Sequence, residues 1–468
     1  MAGATFERSK AAALQILDGL SAHDSANVID FANGVSRYST APTQLTPESR
    51  AALRSYVAAL RPGGGTNMHD ALLEALRQPA PATGTLPAVL FVTDGVPTVG
   101  RTQERDIRVL AEKGNAANRR VFTIGLGHDV AVPLLDRISD VTRAVSTYLG
   151  NADTDLAARM TEVAERLRGP VLADAQLSVL GATGLPAPGR VEEILPLQLP
   201  DLFQGSTLVV LGRYRGEEPF RLAVNGRGSA GPAHINVDVD PRNATTAHSY
   251  VPRLWASRRI AVLVDEIRQQ GLDGSNGAPR DPNDPRWREL AGEIVRLSTT
   301  YGILTEYTSM LALEGSSFND LRALQAACLQ SLNDRAVDMR SGGGAVSQGV
   351  NWNRQKLEGN LAGTNAYVAP NGTQVETGNM NQCGDKTMYR VGNAWADASL
   401  AGNDLAVQEE VAYGSPRHKE ILWKLVEQRR QSALAFEGDV VLQHEGRTIR
   451  IRNGLVGDMS ASTPTATP

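Results

Sequence analysis

Two rhythms of apolar residues alternate along the first third of the chain. Ala13, Leu14 and Leu17, followed by a stop signal at Gly19, recur at helical spacing, and so do the apolar positions of 46–60, 68–77, 103–113, 131–139 and 154–168. Thr46 and Pro47 supply an N-cap and a first helical residue for the second of these. Short, nearly continuous apolar runs at 26–32, 88–93, 120–126 and 144–148 predict strands. Strands that are apolar on both faces and separated by helices predict a doubly wound, mostly parallel α/β sheet.

After Gly169 and Pro170 the period falls to two, and glycine- and proline-bounded segments predict an antiparallel β region over 171–242. Helices return at 251–270 and 285–303. Residues 341–385 are rich in Asn, Gly and Gln and poor in aliphatic side chains, which predicts a flexible linker. The expected organisation is a doubly wound domain at 1–168, an accessory β region with helices at 169–340, the linker at 341–385, a small C-terminal α/β module at 386–457 with a helix at 416–433, and a disordered tail at 458–468.

Composition narrows the function without naming it. A net charge of -4, from 47 basic against 51 acidic residues, and an aromatic content of 5% argue against a nucleic-acid partner. Cys328 and Cys383 form no CxxC pair, so neither a disulfide framework nor a thiolate zinc site is readable, and a single bridge between them stays open. No apolar run approaches the about 18 residues of a membrane span. Glu7, Arg8 and Lys10 interrupt the N-terminal stretch, so no signal peptide is expected in this chain.

Chemistry concentrates in two stretches. "LRPGGGTNMHDALLEAL" (60–76) places Thr66 after three glycines, and "PAVLFVTDGVPTVG" (87–100) runs a strand into Asp94. Ligands of such sheets bind beyond the strands' carboxyl ends, where both stretches belong. A hard cation takes about six oxygens, so the Thr66 hydroxyl and the Asp94 carboxylate would supply part of a shell, with Gly65, Asn67 and Gly95 lining the ligand position. The plainer alternatives are Thr66 as a helix cap and Asp94-Gly95 as a turn. "GLGHDV" (125–130) lacks the third glycine of a dinucleotide fingerprint, and His69-Asp70 and His128-Asp129 read as a helix start and a loop. No GxSxG, HExxH or GxxxxGK[ST] occurs, so no enzyme is expected.

"LQILDGLSAHDSANVIDFA", "GGTNMHDALLEAL" and "FVTDGVPTVG" resemble the von Willebrand factor A domains of inter-alpha-trypsin inhibitor heavy chains and their bacterial relatives. "LWASRRIAVLVDEIR" and "YGILTEYTSMLALE" resemble the segments that follow, which extends the likeness over about residues 1–315; "GDKTMYRVGNAWAD" is similar to the end of some bacterial members. The resemblance implies a metal-ion-dependent adhesion site made of a DxSxS motif, a threonine and an aspartate, the last two matched by Thr66 and Asp94. No DxSxS lies ahead of the first helix, where the family carries it, and Thr5 and Ser9, at or in that helix, are not expected to replace it. Met1 then aligns just past the second serine, so the first central strand and its ligands are expected upstream, in an N-terminally truncated chain. The implied function is non-catalytic binding of a protein or glycan carboxylate through Mg²⁺ or Mn²⁺, conditional on the missing motif, impaired in this chain and extracytoplasmic in the parent. A divergent site that works without the motif, or a metal-independent structural scaffold, are the alternatives.

Overall fold

The computed structural model describes residues 3–79, 85–150, 156–167, 170–203, 207–228, 231–245, 248, 250–270, 284–312, 320–357, 366–384, 386–401 and 406–453. The first unit runs α1 (Gly3–Gly19), β1 (Ser25–Ala26), β2 (Ile29–Phe31), β3 (Val35–Arg37), β4 (Thr43–Gln44), α2 (Pro47–Ala59), α3 (Met68–Arg77), β5 (Ala88–Thr93), α4 (Glu104–Lys113), β6 (Arg120–Leu126), α5 (Val132–Val141), β7 (Ser146–Leu149) and α6 (Leu156–Leu167). Strands β5, β6 and β7 form the expected parallel sheet, in that order. Every residue of β6 is buried. One face packs on Met68, Leu72, Ile107, Leu134 and Leu135 from α3, α4 and α5; the other packs on Ala12 and Ile16 of α1 and on Met160 and Val163 of α6.

The apolar run at 26–32 departs from expectation. It splits into β1, which pairs antiparallel with β4, and β2, which pairs antiparallel with β3, and neither joins the parallel sheet. Contact between β2 and β5 is made by side chains instead, with the rings of Phe31 and Phe91 stacked at 5.3 Å between centroids. Among the described residues no strand pairs with the edge of β5 opposite β6. Val89, Leu90 and Val92 are accordingly only half-buried.

The second unit is antiparallel, in keeping with its period of two: β8 (Ala173–Gly181), β9 (Val191–Leu195), β10 (Leu211–Tyr214), β11 (Phe220–Gly228) and β12 (Gly231–Val239). They form a three-stranded sheet in the order β12-β11-β8 and the pair β9-β10. Helices α7 (Tyr250–Gln270), α8 (Pro285–Tyr301) and α9 (Leu321–Ser331) share one core, with Ile260, Ile267, Ile294, Leu297 and Cys328 at its centre. Asp284 caps the start of α8, and Gly302, at φ 61°, ends it in the left-handed region that favours glycine.

The linker expected at 341–385 is corrected by the structure. Residues Gly342–Leu357 form a helix, α10, followed by β13 (Ala366–Val368), β14 (Gln374–Glu376) and β15 (Met380–Cys383). Few aliphatic residues are needed because α10 is held by polar bonds and by close approach. Gln348 accepts from the Tyr307 hydroxyl at 3.0 Å, Asn351 exchanges bonds with Val368, and Trp352 donates to the Ala261 carbonyl at 3.1 Å. At Gly349 any side chain would meet Tyr148 at 3.0 Å.

The C-terminal module adds β16 (Lys386–Val391), β17 (Ala394–Asp397), β18 (Glu409–Ala412), α11 (Pro416–Glu427), β19 (Asp439–His444) and β20 (Arg447–Arg452). With β15 these make a six-stranded sheet ordered β15-β16-β17-β19-β20-β18. Helix α11 ends at Glu427 rather than 433, and Arg429, at φ 58°, turns the chain away. Cys328 and Cys383 are both free and buried, so no bridge joins them. The expected tail at 458–468 lies outside the described residues.

Candidate metal centre

Three loops converge at the carboxyl end of β5. Gly65 donates its N–H to Asn33 Oδ1 at 2.6 Å, and Thr66 donates its own to Thr98 Oγ1 at 2.8 Å. The Thr66 carbonyl accepts in return from the N–H groups of Thr98 and Val99, at 3.0 and 3.4 Å. Asn67 closes the set by donating its main-chain N–H to the Ala32 carbonyl at 3.0 Å. The turn after β2, the glycine loop and the segment after Asp94 are thereby one clasp.

That clasp explains the glycines. A Cβ on Gly65 would clash with Val99 Cγ2 and lie 2.9 Å from Thr98 Oγ1, so the loops meet this closely only because Gly65 has none. Gly64 takes φ +73°, a left-handed conformation costly for other residues. Gly100, at φ +72°, is similarly required, since its Cβ would fall 2.6 Å from Asn67 Oδ1.

The cap of α3 is Asn67, whose Oδ1 accepts from the Asp70 N–H at 3.3 Å. Thr66 is therefore released from the capping role that the sequence left open. Its half-buried hydroxyl points at the next loop, and a Cβ built on Gly95 would sit 3.5 Å from Thr66 Oγ1. Asp94, also half-buried, precedes Gly95 directly, where β5 ends. The structure thus brings Thr66, Asn67 and the Asp94-Gly95 turn to one edge of one sheet. Sequence reasoning missed Asn33 and Thr98; the only signal for Asn33 was its place in a turn, whereas Thr98 lies within the stretch 87–100 already singled out for Asp94.

The remaining polar groups have local partners. His69 Nδ1 lies 2.9 Å from Asp70 Oδ1, and bonds from His69 and then Asn67 hold the Asp70 carboxyl below its ordinary range. Ser9 Oγ donates to the Phe6 carbonyl at 2.7 Å within α1. Among the described residues no group of three or more His, Cys, Asp or Glu is placed to hold a metal. A hydroxyl and a carboxylate at one edge suit a hard cation in kind, and two oxygens of about six leave the rest of the shell to other donors.

Residues 2–147 match the family model described as the von Willebrand factor type A domain. Inter-alpha-trypsin inhibitor heavy chain H4 of Bos taurus is 25% identical over 328 residues, covering 66% of this chain and 34% of that protein. Heavy chain H6 of Homo sapiens is 28% identical over 341 residues, covering 67% and 24%. The chain carries a von Willebrand factor type A domain and is similar beyond it to the inter-alpha-trypsin inhibitor heavy chains. Its match spans about a third of the first of these relatives and less of the second. Among solved structures, a von Willebrand factor type A protein from Catenulispora acidiphila is 16% identical, covers 72% of this chain and 85% of its own, and superposes with a TM-score of 0.45. The A domain's sheet corresponds to β5, β6 and β7, and the clasp lies at its carboxyl edge. Among the described residues no helix is long and apolar enough to cross a membrane.

Proposed function

We propose that the A domain binds a protein or glycan ligand without catalysing a reaction, through Mg²⁺ or Mn²⁺ held in part by Thr66 and Asp94. A carboxylate of the ligand would take an open coordination position, and Gly65, Asn67 and Gly95 would border it. What supports this reading is the Thr66 hydroxyl: capping is done by Asn67, while the hydroxyl faces the Asp94-Gly95 turn across 3.5 Å from the Gly95 Cβ position. No DxSxS segment lies ahead of Thr66 in the given sequence to complete the shell, and the site is read as impaired without one. The parent protein is proposed to work outside the cytoplasm.

The test compares this chain with one carrying an in-frame strand and DxSxS segment ahead of Met1, by calorimetric titration with Mg²⁺ and Mn²⁺. The extended chain should bind, and Asp94→Ala or Thr66→Ala should abolish or strongly weaken binding. An extended chain whose cation affinity ignores both substitutions defeats the reading. A second reading, a metal-independent interaction scaffold, draws on the clasp itself, which joins the loops by direct hydrogen bonds through Asn33 and Thr98. It expects no change in melting temperature on adding cation or chelator.

A further inference from the structure

Strand β12 lies at the edge of its sheet and is nine residues long. Its pairing with β11 runs without a bulge from Phe220↔Val239 to Gly228↔Gly231. Among the described residues nothing pairs with its outer side. The opposite edge of the same sheet, β8, is treated differently: its register shifts between Asn225 and Arg227, and isolated bridges at Leu172↔Leu202 and Leu180↔Pro186 flank it. Bulges, lysines, prolines and covering loops are how soluble proteins blunt an open edge. The central stretch of β12, Ala233 to Val239, has no lysine, proline or bulge, and Ile235 and Val237 are 48% and 53% exposed.

The sequence of this edge is complementary to itself. In antiparallel pairing about a two-fold axis through Asn236, residues equally far on either side of 236 face each other. Ile235 then meets Val237 of the second copy, and His234 meets Asp238 of the second copy. The apolar row Leu177–Val224–Ile235 would continue into Val237–Leu222–Val179 of the second copy. On the polar face, the row Arg221–Asp238, ion-paired at 2.6 Å, would continue into His234–Asn225, hydrogen-bonded at 2.7 Å. Polar side chains able to hydrogen-bond and matched apolar side chains at directly facing positions stabilise a strand pair, and the same patch on both partners is the mark of a closed two-fold interface.

We propose that β12 is a self-association edge at which a second copy of this chain pairs antiparallel about Asn236, merging two three-stranded sheets into one of six. The proposal is independent of the cation reading.

Sedimentation velocity of the full chain over a concentration series tests it, with circular dichroism and melting as folding controls. The wild type should pass from monomer to dimer as concentration rises, and Val237→Lys should remain monomeric with an unchanged melt. His234→Asp alone should weaken association by about tenfold, because it sets carboxylates against each other at two facing pairs in each dimer, and Asp238→Lys alone should weaken it by removing the acceptor that faces His234. An equimolar mixture of those two variants should recover it, since one facing pair then carries opposite charge and the other is the wild-type pair. The mixture tests the register even if Val237→Lys fails to fold. A wild type that stays monomeric up to sub-millimolar concentration overturns the proposal, as does a dimer indifferent to Val237→Lys and to both charge changes.

Discussion

At Gly65 a single hydrogen atom in place of a side chain decides how closely two loops approach. Gly65→Ala would press a methyl group into Val99 and Thr98, and overpacking of this kind costs about 1–3 kcal/mol. The urea midpoint should fall accordingly, and Gly63→Ala, which has nothing within 4 Å of its Cβ position, should change it far less. Equal effects at both positions would mean that the loop contact contributes nothing. Threonine at 66 was legible as a candidate from its neighbours alone, whereas its freedom from capping was not, because Thr66 and Asn67 are both residues that cap helices. Only the observed bond from the Asp70 N–H to Asn67 Oδ1 separates the two roles.

At the scale of elements, buried polar networks join units that the composition separates. Asp136 on α5 accepts from Tyr148 at 2.7 Å and from Arg268 of α7 at 3.0 Å, and both partners of the ion pair are buried. Removing one partner of such a pair leaves an uncompensated charge, so Asp136→Ala should cost about 3–5 kcal/mol, measurable by chemical unfolding. Glu306 accepts from Asn351 at 2.5 Å at the junction with α10, near Arg335 and Arg268. Burial, the largest influence, holds its carboxyl above the ordinary range despite those groups. A raised value in the folded state means that the folded chain keeps this proton longer than the unfolded chain does, so this site loses stability as pH climbs from the ordinary carboxylate range through the raised value. Melting temperatures measured from mildly acidic to neutral pH should show that loss in the wild type. Glu306→Gln keeps an acceptor for Asn351 and should remove it; an identical slope in the variant would assign the pH dependence elsewhere.

Across the whole molecule, the A domain does not end where its helices and strands stop alternating. Ala345 is part of its buried core, with Met339 and Val346 packed against it, and Arg340 bridges Glu104 at the start of α4 and the Arg268 carbonyl at the end of α7. All five tryptophans lie beyond residue 250, so fluorescence reports the later units while amide exchange in β6 reports the A domain. Both probes should give one urea midpoint. Two well-separated midpoints would show that residues 339–346 do not couple the units.

The sequence by itself determined the elements whose signal is local. Continuous apolar runs made β5, β6 and β7, a period of two made the antiparallel region, and glycines beside Thr66 marked the loop at the sheet's edge. Tertiary structure decided the rest, because each remaining choice depended on partners distant in the chain. Whether 26–32 joined the parallel sheet depended on a ladder neighbour beside β5, and among the described residues there is none. Whether 342–357 was linker or helix depended on Tyr307, Ala261 and Val368 being placed to satisfy its Gln, Trp and Asn side chains. Composition measures how much apolar surface a segment can bury, and it carries no information about which polar groups elsewhere will meet it.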